Sequence, residues 1–102
     1  MKKSLLMLCV AILSVSVLWA QEKKPYSVVF YNLENLFDIY NDPETHDDEF
    51  TPEGVKQWNE IKYQKKLSNM ERVLFDIAAI NKEYPVVIGV SEIENRTVLE
   101  DL

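Results

Sequence analysis

Cysteine, histidine and basic residues are all scarce in this chain of 102 residues. The single cysteine, Cys9, lies in an apolar run near the start, so the rest of the chain offers no disulfide and no thiolate chemistry. Eleven basic residues stand against seventeen acidic ones, which gives a net charge of −6. Such a surface lacks the lysines and arginines that a broad grip on nucleic acid requires, although it does not exclude one phosphate held by a metal ion. The length allows one small domain at most.

Residues 1–20 have the organisation of a secretory signal peptide. A short basic start precedes an apolar stretch over residues 4–18, and Ala20 supplies the small residue expected before a cleavage site. The apolar stretch is too short to span a bilayer comfortably. We therefore expect cleavage near Ala20 and a mature domain formed by residues 21–102. The mature protein is expected to be secreted or periplasmic, with no stable membrane association.

Two other interpretations of this leader stay open. An uncleaved leader would act as a membrane anchor, an interpretation that the short apolar stretch disfavours. A lipoprotein would use Cys9 as its attachment site, but bulky Leu8 precedes that cysteine where a small residue is expected. Cys9 also lies deep inside the apolar stretch, which counts against lipid attachment.

The remaining chain alternates buried strands with one helix. Residues 26–31 and 86–90 are short, continuous apolar runs, which predicts strands buried on both faces. Residues 58–81 predict a helix because apolar side chains recur every three or four positions. The acidic stretch 38–57 predicts a long loop, with one helical turn after Thr51 because Thr before proline favours a helix start. The core-facing stripe of the helix is predicted to comprise Leu67, Met70, Leu74 and Ile77, widened by Val73 and Ile80.

The order strand, loop, helix, strand indicates an α/β protein. Strands joined through a helix usually pair in parallel by a right-handed crossover, so both end at the same edge of the sheet. Asn32 and Glu34 follow the first strand, and Glu92 follows the second. Ligands in α/β sheets bind at this carboxyl edge, and we expect the three side chains to meet there.

Carboxylates gathered at such an edge repel one another unless one is protonated or a cation lies between them. Oxygen ligands without a nearby cysteine or histidine suit a hard cation such as Mg²⁺, Mn²⁺ or Ca²⁺. The spacing alone leaves a second interpretation open. In that interpretation Glu92 and Glu94 are solvated residues at a strand end, and Asn32 and Asn35 are turn formers.

Several other polar residues also have two interpretations each. The long loop offers carboxylates to an additional cation such as Ca²⁺, although their spacing is not that of an EF-hand and a solvated acidic loop is favoured. Arg96 is a candidate ligand for a substrate phosphate, or a partner for Glu94 or Glu100. Lys65 and Lys66 are expected on a solvated helix face. The loop carboxylates in question are Asp42, Glu44, Asp47, Asp48 and Glu49.

Three segments make the sequence resemble a known family. FYNLENLFD and IGVSEIENR, together with the acidic loop NDPETHDDEFTPEG, are similar to the N-terminal half of the endonuclease/exonuclease/phosphatase superfamily. Secreted bacterial members are especially similar, and the resemblance covers residues 26–102. It implies a four-layer α/β/β/α sandwich of two mixed sheets, of which this chain would form the β-loop-α-β front portion. It also implies Mg²⁺- or Mn²⁺-dependent hydrolysis of phosphodiesters or phosphomonoesters.

The resemblance further implies a role for each residue at the strand ends. Asn32 matches the asparagine that hydrogen-bonds within the site and orients the phosphate. Glu34 falls where the family often has a second acidic residue at the metal, and Glu92 matches the principal metal ligand. A metal bound there would stabilise charge on the transition state and on the leaving oxygen.

The sequence departs from the family pattern in what it omits. The family uses two histidines and further Asp and Asn residues from later strands, whereas His46 matches neither position and the chain ends at Leu102. We therefore expect a partial chain, inactive alone, of a nuclease-like phosphodiesterase whose substrate is nucleic acid or a small phosphoester. One alternative is a phosphatase or lipid-headgroup phosphodiesterase on the same scaffold. The other is a secreted, non-catalytic module that binds a cation or a partner.

Overall fold

The computed structural model of the protein describes residues 1–9 and 24–102. Residues 2–9 are helical, and the expected cleavage site near Ala20 lies outside the described residues. No helix within the described ranges is long and apolar enough to cross a membrane.

Two parallel strands form the sheet, which confirms the predicted pairing. Strand β1 spans Val28–Leu36 and strand β2 spans Val87–Ile93, with Asn32 opposite Ser91 in the register. Both strands run further toward their carboxyl ends than predicted. The pairing passes an irregularity between Asn32 and Leu36, where β1 inserts extra residues before it pairs again with Ile93. Such a bulge bends a strand without ending it, so the polar residues after Tyr31 remain within β1.

Helix α1 spans Glu60–Asn81 and begins two residues later than predicted. Asn59 ends the preceding extended segment and accepts a hydrogen bond from the Lys62 N–H, which makes it the N-cap. Lys82 adopts a left-handed conformation that closes the last turn. The predicted stripe is buried or half-buried, but Ile80 is 80% exposed, because the buried face is centred on Tyr63, Leu67, Met70 and Ala78 and position 80 lies about a quarter turn or more away from it.

The core lies between one face of the sheet and helix α1. A short second helix, α2, spans Arg96–Asp101 and was not predicted, although Asn95 is a strong N-cap residue and accepts from the Val98 N–H. Its one buried side chain, Val98, closes the core at the carboxyl end of β2. The buried cluster comprises Leu33, Leu36, Tyr63, Leu67, Met70 and Val98.

The acidic loop is folded against the core by an aromatic cluster. The rings of Phe37 and Phe50 stack at 4.2 Å, and the Trp58 ring meets Phe50 edge-on at 6.3 Å. The indole N–H of Trp58 donates to the carbonyl oxygen of Phe37 at 2.9 Å. These contacts return the loop to the end of β1, next to the strand ends.

The helical turn of the loop lies before Thr51 and not after it. A 3-10 turn spans Asp48–Phe50, and Thr51 ends it while its hydroxyl donates to the Asp48 carbonyl oxygen. Gly54 follows closely, and a Cβ there would collide with the carbonyl oxygens of Asp48 and Glu49. This close approach folds the chain back on the 3-10 turn, so the segment after Thr51 forms turns where one helical turn was predicted.

The face of the sheet that looks away from helix α1 is uncovered among the described residues. Val28, Phe30 and Val87 lie on that face and are all more than half exposed. The Phe30 ring lies across Gly89, its partner in the register, and a Cβ at position 89 would meet the ring at 2.8 Å. The prediction that both faces are buried is therefore wrong within the described ranges, because one helix covers only one face.

We expect residues 21–102 expressed alone to be poorly soluble or molten. In the described part of the chain one sheet face is apolar and exposed, and each strand has one unpaired edge, a combination that favours association. Dye binding to exposed apolar surface and loss of near-UV circular dichroism would report this state. A sharp, cooperative melting transition for residues 21–102 would contradict the expectation.

Candidate functional site

Asn32 and Glu92, sixty residues apart in sequence, meet at the carboxyl edge of the sheet. The side-chain amide of Asn32 donates from Nδ2 to Glu92 Oε1 at 3.0 Å. The Oδ1 atom of the same amide accepts the Glu34 N–H at 2.8 Å. The amide is thus held at both ends, which fixes its orientation and the position of the Glu92 carboxylate. The parallel register brings these residues together as the order of elements predicts.

Three residues at this edge adopt left-handed backbone conformations. Glu34, Asn35 and Glu92 have φ angles of 51°, 59° and 55°. Side chains other than glycine rarely adopt this region, and each such residue costs on the order of 1 kcal/mol, less for Asn. Surrounding contacts must therefore maintain the conformation. Glu34 and Asn35 form the bulge of β1, which changes the direction of the strand at the edge of the sheet before β1 continues to Leu36.

Lys66 contacts the same edge from helix α1, where a solvated lysine was predicted. Its Nζ donates to the carbonyl oxygens of Glu34 and Asn35, the latter at 3.1 Å. Burial lowers the pKa of the Lys66 ammonium, while the nearby Glu34 and Glu92 carboxylates act to raise it. The helical spacing contained the signal, because position 66 lies three residues after buried Tyr63 and four before buried Met70.

Glu94 is the second carboxylate at the end of β2, and it lies in a different environment from Glu92. Burial raises the pKa of Glu94 to about 7, and the nearby Asp38 and Asp47 carboxylates raise it further, although the hydrogen bond from the Asp38 N–H opposes the change. That N–H donates to Glu94 Oε2 at 2.9 Å. Glu94 is therefore close to half protonated at neutral pH.

Asp47 explains why this proton matters, and it corrects the prediction of a wholly solvated acidic loop. Its side chain is only 1% exposed, and Oδ2 accepts the Asp42 N–H at 3.0 Å. The buried Oδ1 has no hydrogen-bond partner among the described residues. Protonation of Glu94 removes a negative charge beside the buried Asp47 carboxylate, which lessens the repulsion between the two groups. Asp48 and Glu49, in contrast, are exposed as predicted.

Asp38 joins the acidic loop to the start of helix α2. Its Oδ2 accepts from Asn95 Nδ2 at 3.3 Å, and its Oδ1 accepts the Tyr40 N–H at 2.8 Å. The Oδ1 atom of Asn95 accepts the Val98 N–H and so caps α2. Asn95, the residue after Glu94, is thereby held against the start of the loop, a connection that the sequence signalled only through the capping preference of Asn95.

Arg96 and His46 do not join the edge described above. Arg96 forms an exposed ion pair with Glu100, with Nε 2.7 Å from Oε1, one turn along α2. Of the two candidate carboxylate partners, the structure thus selects Glu100 and not Glu94. His46 is exposed in the acidic loop.

The donors at the sheet edge fit a hard cation in part. Glu92 and Glu34 offer carboxylates, and Mg²⁺ typically takes one or two of these while it retains several waters. Within residues 1–9 and 24–102, no group of three or more His, Cys, Asp and Glu side chains is arranged to hold a metal ion. The described residues therefore suit a cation that completes its coordination with water and with groups from outside them.

Comparison with known proteins identifies a family. Residues 27–102 match the sequence model of the Endonuclease/Exonuclease/phosphatase family. No curated protein and no solved structure matches the chain significantly. The matched residues include both strands, both helices of the core and the whole acidic loop.

The variant Glu94→Gln should flatten the pH dependence of stability. Because the folded state raises this pKa from 4.5 to about 7, the folded protein keeps a proton that the unfolded chain releases. The stability that results is complete below pH 4.5 and is lost as pH rises through about 7. Glutamine mimics the protonated acid, so the variant should unfold at a higher temperature than the native protein under mildly alkaline conditions.

Thermal unfolding of the native protein in the presence of a chelator, from mildly acidic to mildly alkaline pH, measures this effect. Glu100→Gln is the matched control, because its carboxylate lies exposed beside Arg96 at the other end of α2. The control should keep the pH profile of the native protein. Identical profiles for the native protein and Glu94→Gln would rule out a raised pKa of Glu94 in the folded state.

Proposed function

The chain belongs to the Endonuclease/Exonuclease/phosphatase family, and we propose that its protein is a divalent-metal-dependent phosphoester hydrolase, most similar to a nuclease-like phosphodiesterase. The hydrogen bond between Asn32 and Glu92 supports this proposal most directly. It aligns a carboxylate with an amide at the edge of the sheet where α/β proteins bind ligands. The four-layer sandwich of the family is proposed with it, since the exposed face around Phe30 suits a second sheet.

Each residue at the edge has a proposed task. Glu92 is the principal ligand for Mg²⁺ or Mn²⁺, with Ca²⁺ as a further candidate, and Glu34 contributes a second carboxylate. Asn32 orients Glu92 and one phosphate oxygen. A cation held there supplies charge stabilisation for the transition state and the leaving oxygen. Arg96, on a short helix beside the edge, is a candidate contact for a distal phosphate once it leaves Glu100.

The remaining chemistry is proposed to come from groups beyond those described. Activation of water requires a base within hydrogen-bond reach of the attacking oxygen. His46 lies exposed in the acidic loop and forms no described hydrogen bond with Asn32 or Glu92. The family supplies its histidines from later strands, so residues 21–102 alone are proposed to be inactive. The mature protein is proposed to act outside the cytoplasm, after cleavage near Ala20.

Glu92→Gln in the full-length protein should abolish metal-dependent hydrolysis of a phosphodiester. Glutamine keeps the size of the side chain and an acceptor for Asn32 but removes the charge that binds the cation. Glu49→Gln is the matched control, because Glu49 is an exposed carboxylate of the acidic loop. Initial rates against Mg²⁺ concentration give the comparison. No hydrolysis by the native protein, with cation binding lost in Glu49→Gln and kept in Glu92→Gln, would favour the non-catalytic, cation-binding module instead.

The charge of the chain favours a small or flexible substrate over long duplex DNA. With eleven basic residues against seventeen acidic ones, the chain has few lysines and arginines to neutralise phosphates and release counterions from DNA. We expect faster metal-dependent hydrolysis of bis(4-nitrophenyl) phosphate than nicking of plasmid DNA at equal phosphodiester concentration. Faster plasmid nicking would indicate a basic groove elsewhere in the protein. Preference for a phosphomonoester would indicate the phosphatase alternative.

A further inference from the structure

The carbonyl groups of Glu34 and Asn35 face the same side chain. Consecutive residues in the left-handed region turn their carbonyl groups in similar directions, as in one turn of a left-handed helix. Both oxygens accept from the ammonium of Lys66. An ammonium has three N–H donors, so these two contacts leave it one more. A single side chain from helix α1 thus binds two backbone groups of the β1 bulge.

Further contacts hold the Lys66 side chain between helix α1 and the bulge. Its Nζ lies 5.7 Å from the centre of the Trp58 ring, a distance at which a cation is attracted to the ring face. Trp58 is fixed in turn by its indole bond to the Phe37 carbonyl oxygen. The side chain is half-buried, in contrast to its neighbour Lys65, which is exposed. The lysine is therefore placed by its surroundings and is not a free surface charge.

A chain of hydrogen bonds connects this contact to Glu92. Lys66 holds the carbonyl groups of Glu34 and Asn35, and this conformation directs the Glu34 N–H at Asn32 Oδ1. Asn32 then has only its Nδ2 atom to present to Glu92. Without Lys66, the strained bulge can relax, and the Asn32 amide loses one of the two contacts that orient it.

We propose that Lys66 is a positioning residue for the metal-binding edge, an inference that rests on the proposed function. It stabilises the left-handed bulge at Glu34 and Asn35, and through Asn32 it fixes the geometry of Glu92. Its positive charge has the opposite effect on a cation, because an ammonium near two carboxylates competes with the metal. The two effects predict opposite results when the side chain is removed.

The test uses Lys66→Met in the full-length protein, with Lys65→Met as the matched control. Calorimetric titration with Mn²⁺ should show an affinity about tenfold weaker in Lys66→Met. Loss of a residue that orients a metal ligand typically weakens metal affinity on this scale. The value of kcat at saturating Mn²⁺ should also fall, since misplacement persists when the metal is bound. Amide hydrogen exchange should speed up over residues 32–36 and stay unchanged in the middle of α1. Lys65→Met should match the native protein in all three measurements.

Two further variants separate positioning from general damage. Lys66→Arg keeps the charge and the donors, and it should recover much of the metal affinity. Asn35→Gly, introduced into Lys66→Met, removes part of the strain because glycine accepts positive φ angles. The double variant should therefore exchange more slowly over residues 32–36 than Lys66→Met. If Lys66→Met does not fold, Lys66→Arg is compared with the native protein instead. Loss of the contacts to the Glu34 and Asn35 carbonyl oxygens in Lys66→Arg, with unchanged hydrogen exchange over residues 32–36 and unchanged kcat, would overturn the proposal.

The outcomes distinguish this inference from the proposed function. Equal or tighter Mn²⁺ binding by Lys66→Met, with unchanged exchange over residues 32–36, would overturn the positioning role even if the native protein hydrolyses phosphoesters. Weaker binding and faster exchange without any hydrolysis by the native protein would support positioning and refute the proposed function. A native protein that binds no Mn²⁺ would refute both.

Discussion

The parallel register of β1 and β2 is the constraint on which the rest of this structure depends. It places Asn32 opposite Ser91, which leaves Glu92 as the next residue to reach the carboxyl edge. Helix α1 lies in the connection between the two parallel strands and covers one face of the pair. The bulge after Asn32 then lets β1 continue to Leu36, which is fully buried and ties the polar edge to the core. A shift of one residue would exchange the core and edge side chains of a strand.

Glu92 and Glu94 lie at the end of β2, and the energetic cost of their negative charge is reduced in a different way for each. Glu92 remains near water, where Asn32 donates to it and the ammonium of Lys66 lies nearby. Glu94 lies half-buried near the acidic loop, where Asp47 is almost wholly buried and the raised pKa of Glu94 favours its uncharged form. One strand end therefore divides its acidic residues between a solvated edge that suits a cation and a buried contact that fastens the loop.

The sequence predicts the strands and the helix that hydrophobic patterns define. It predicts fewer of the contacts between them. Parallel pairing follows from the order of elements, and with it the meeting of Asn32 and Glu92. The helical spacing places Lys66 beside the core-facing side of α1, and Asn35 favours a left-handed turn, but no local pattern shows that Glu34 shares that conformation or that Lys66 reaches both carbonyl oxygens. Burial of Asp47 depends on aromatic contacts made elsewhere in the loop. The exposure of Ile80 shows that the width of the buried stripe, unlike its period, is set by the packing partners and not by the sequence of the helix.

The separation of Asn32 from Glu92 by sixty residues also governs the order in which this region can form. Bringing such distant segments together costs chain entropy before any strand contact compensates for it, so non-local parallel pairing is slow compared with helix formation. During synthesis, β1 and the acidic loop emerge long before β2 exists. Until then the bulge has no partner strand, and a cation finds only isolated carboxylates. Binding of a cation at the proposed metal site would therefore be a late event in the biogenesis of the protein, and its appearance would mark the completion of the sheet.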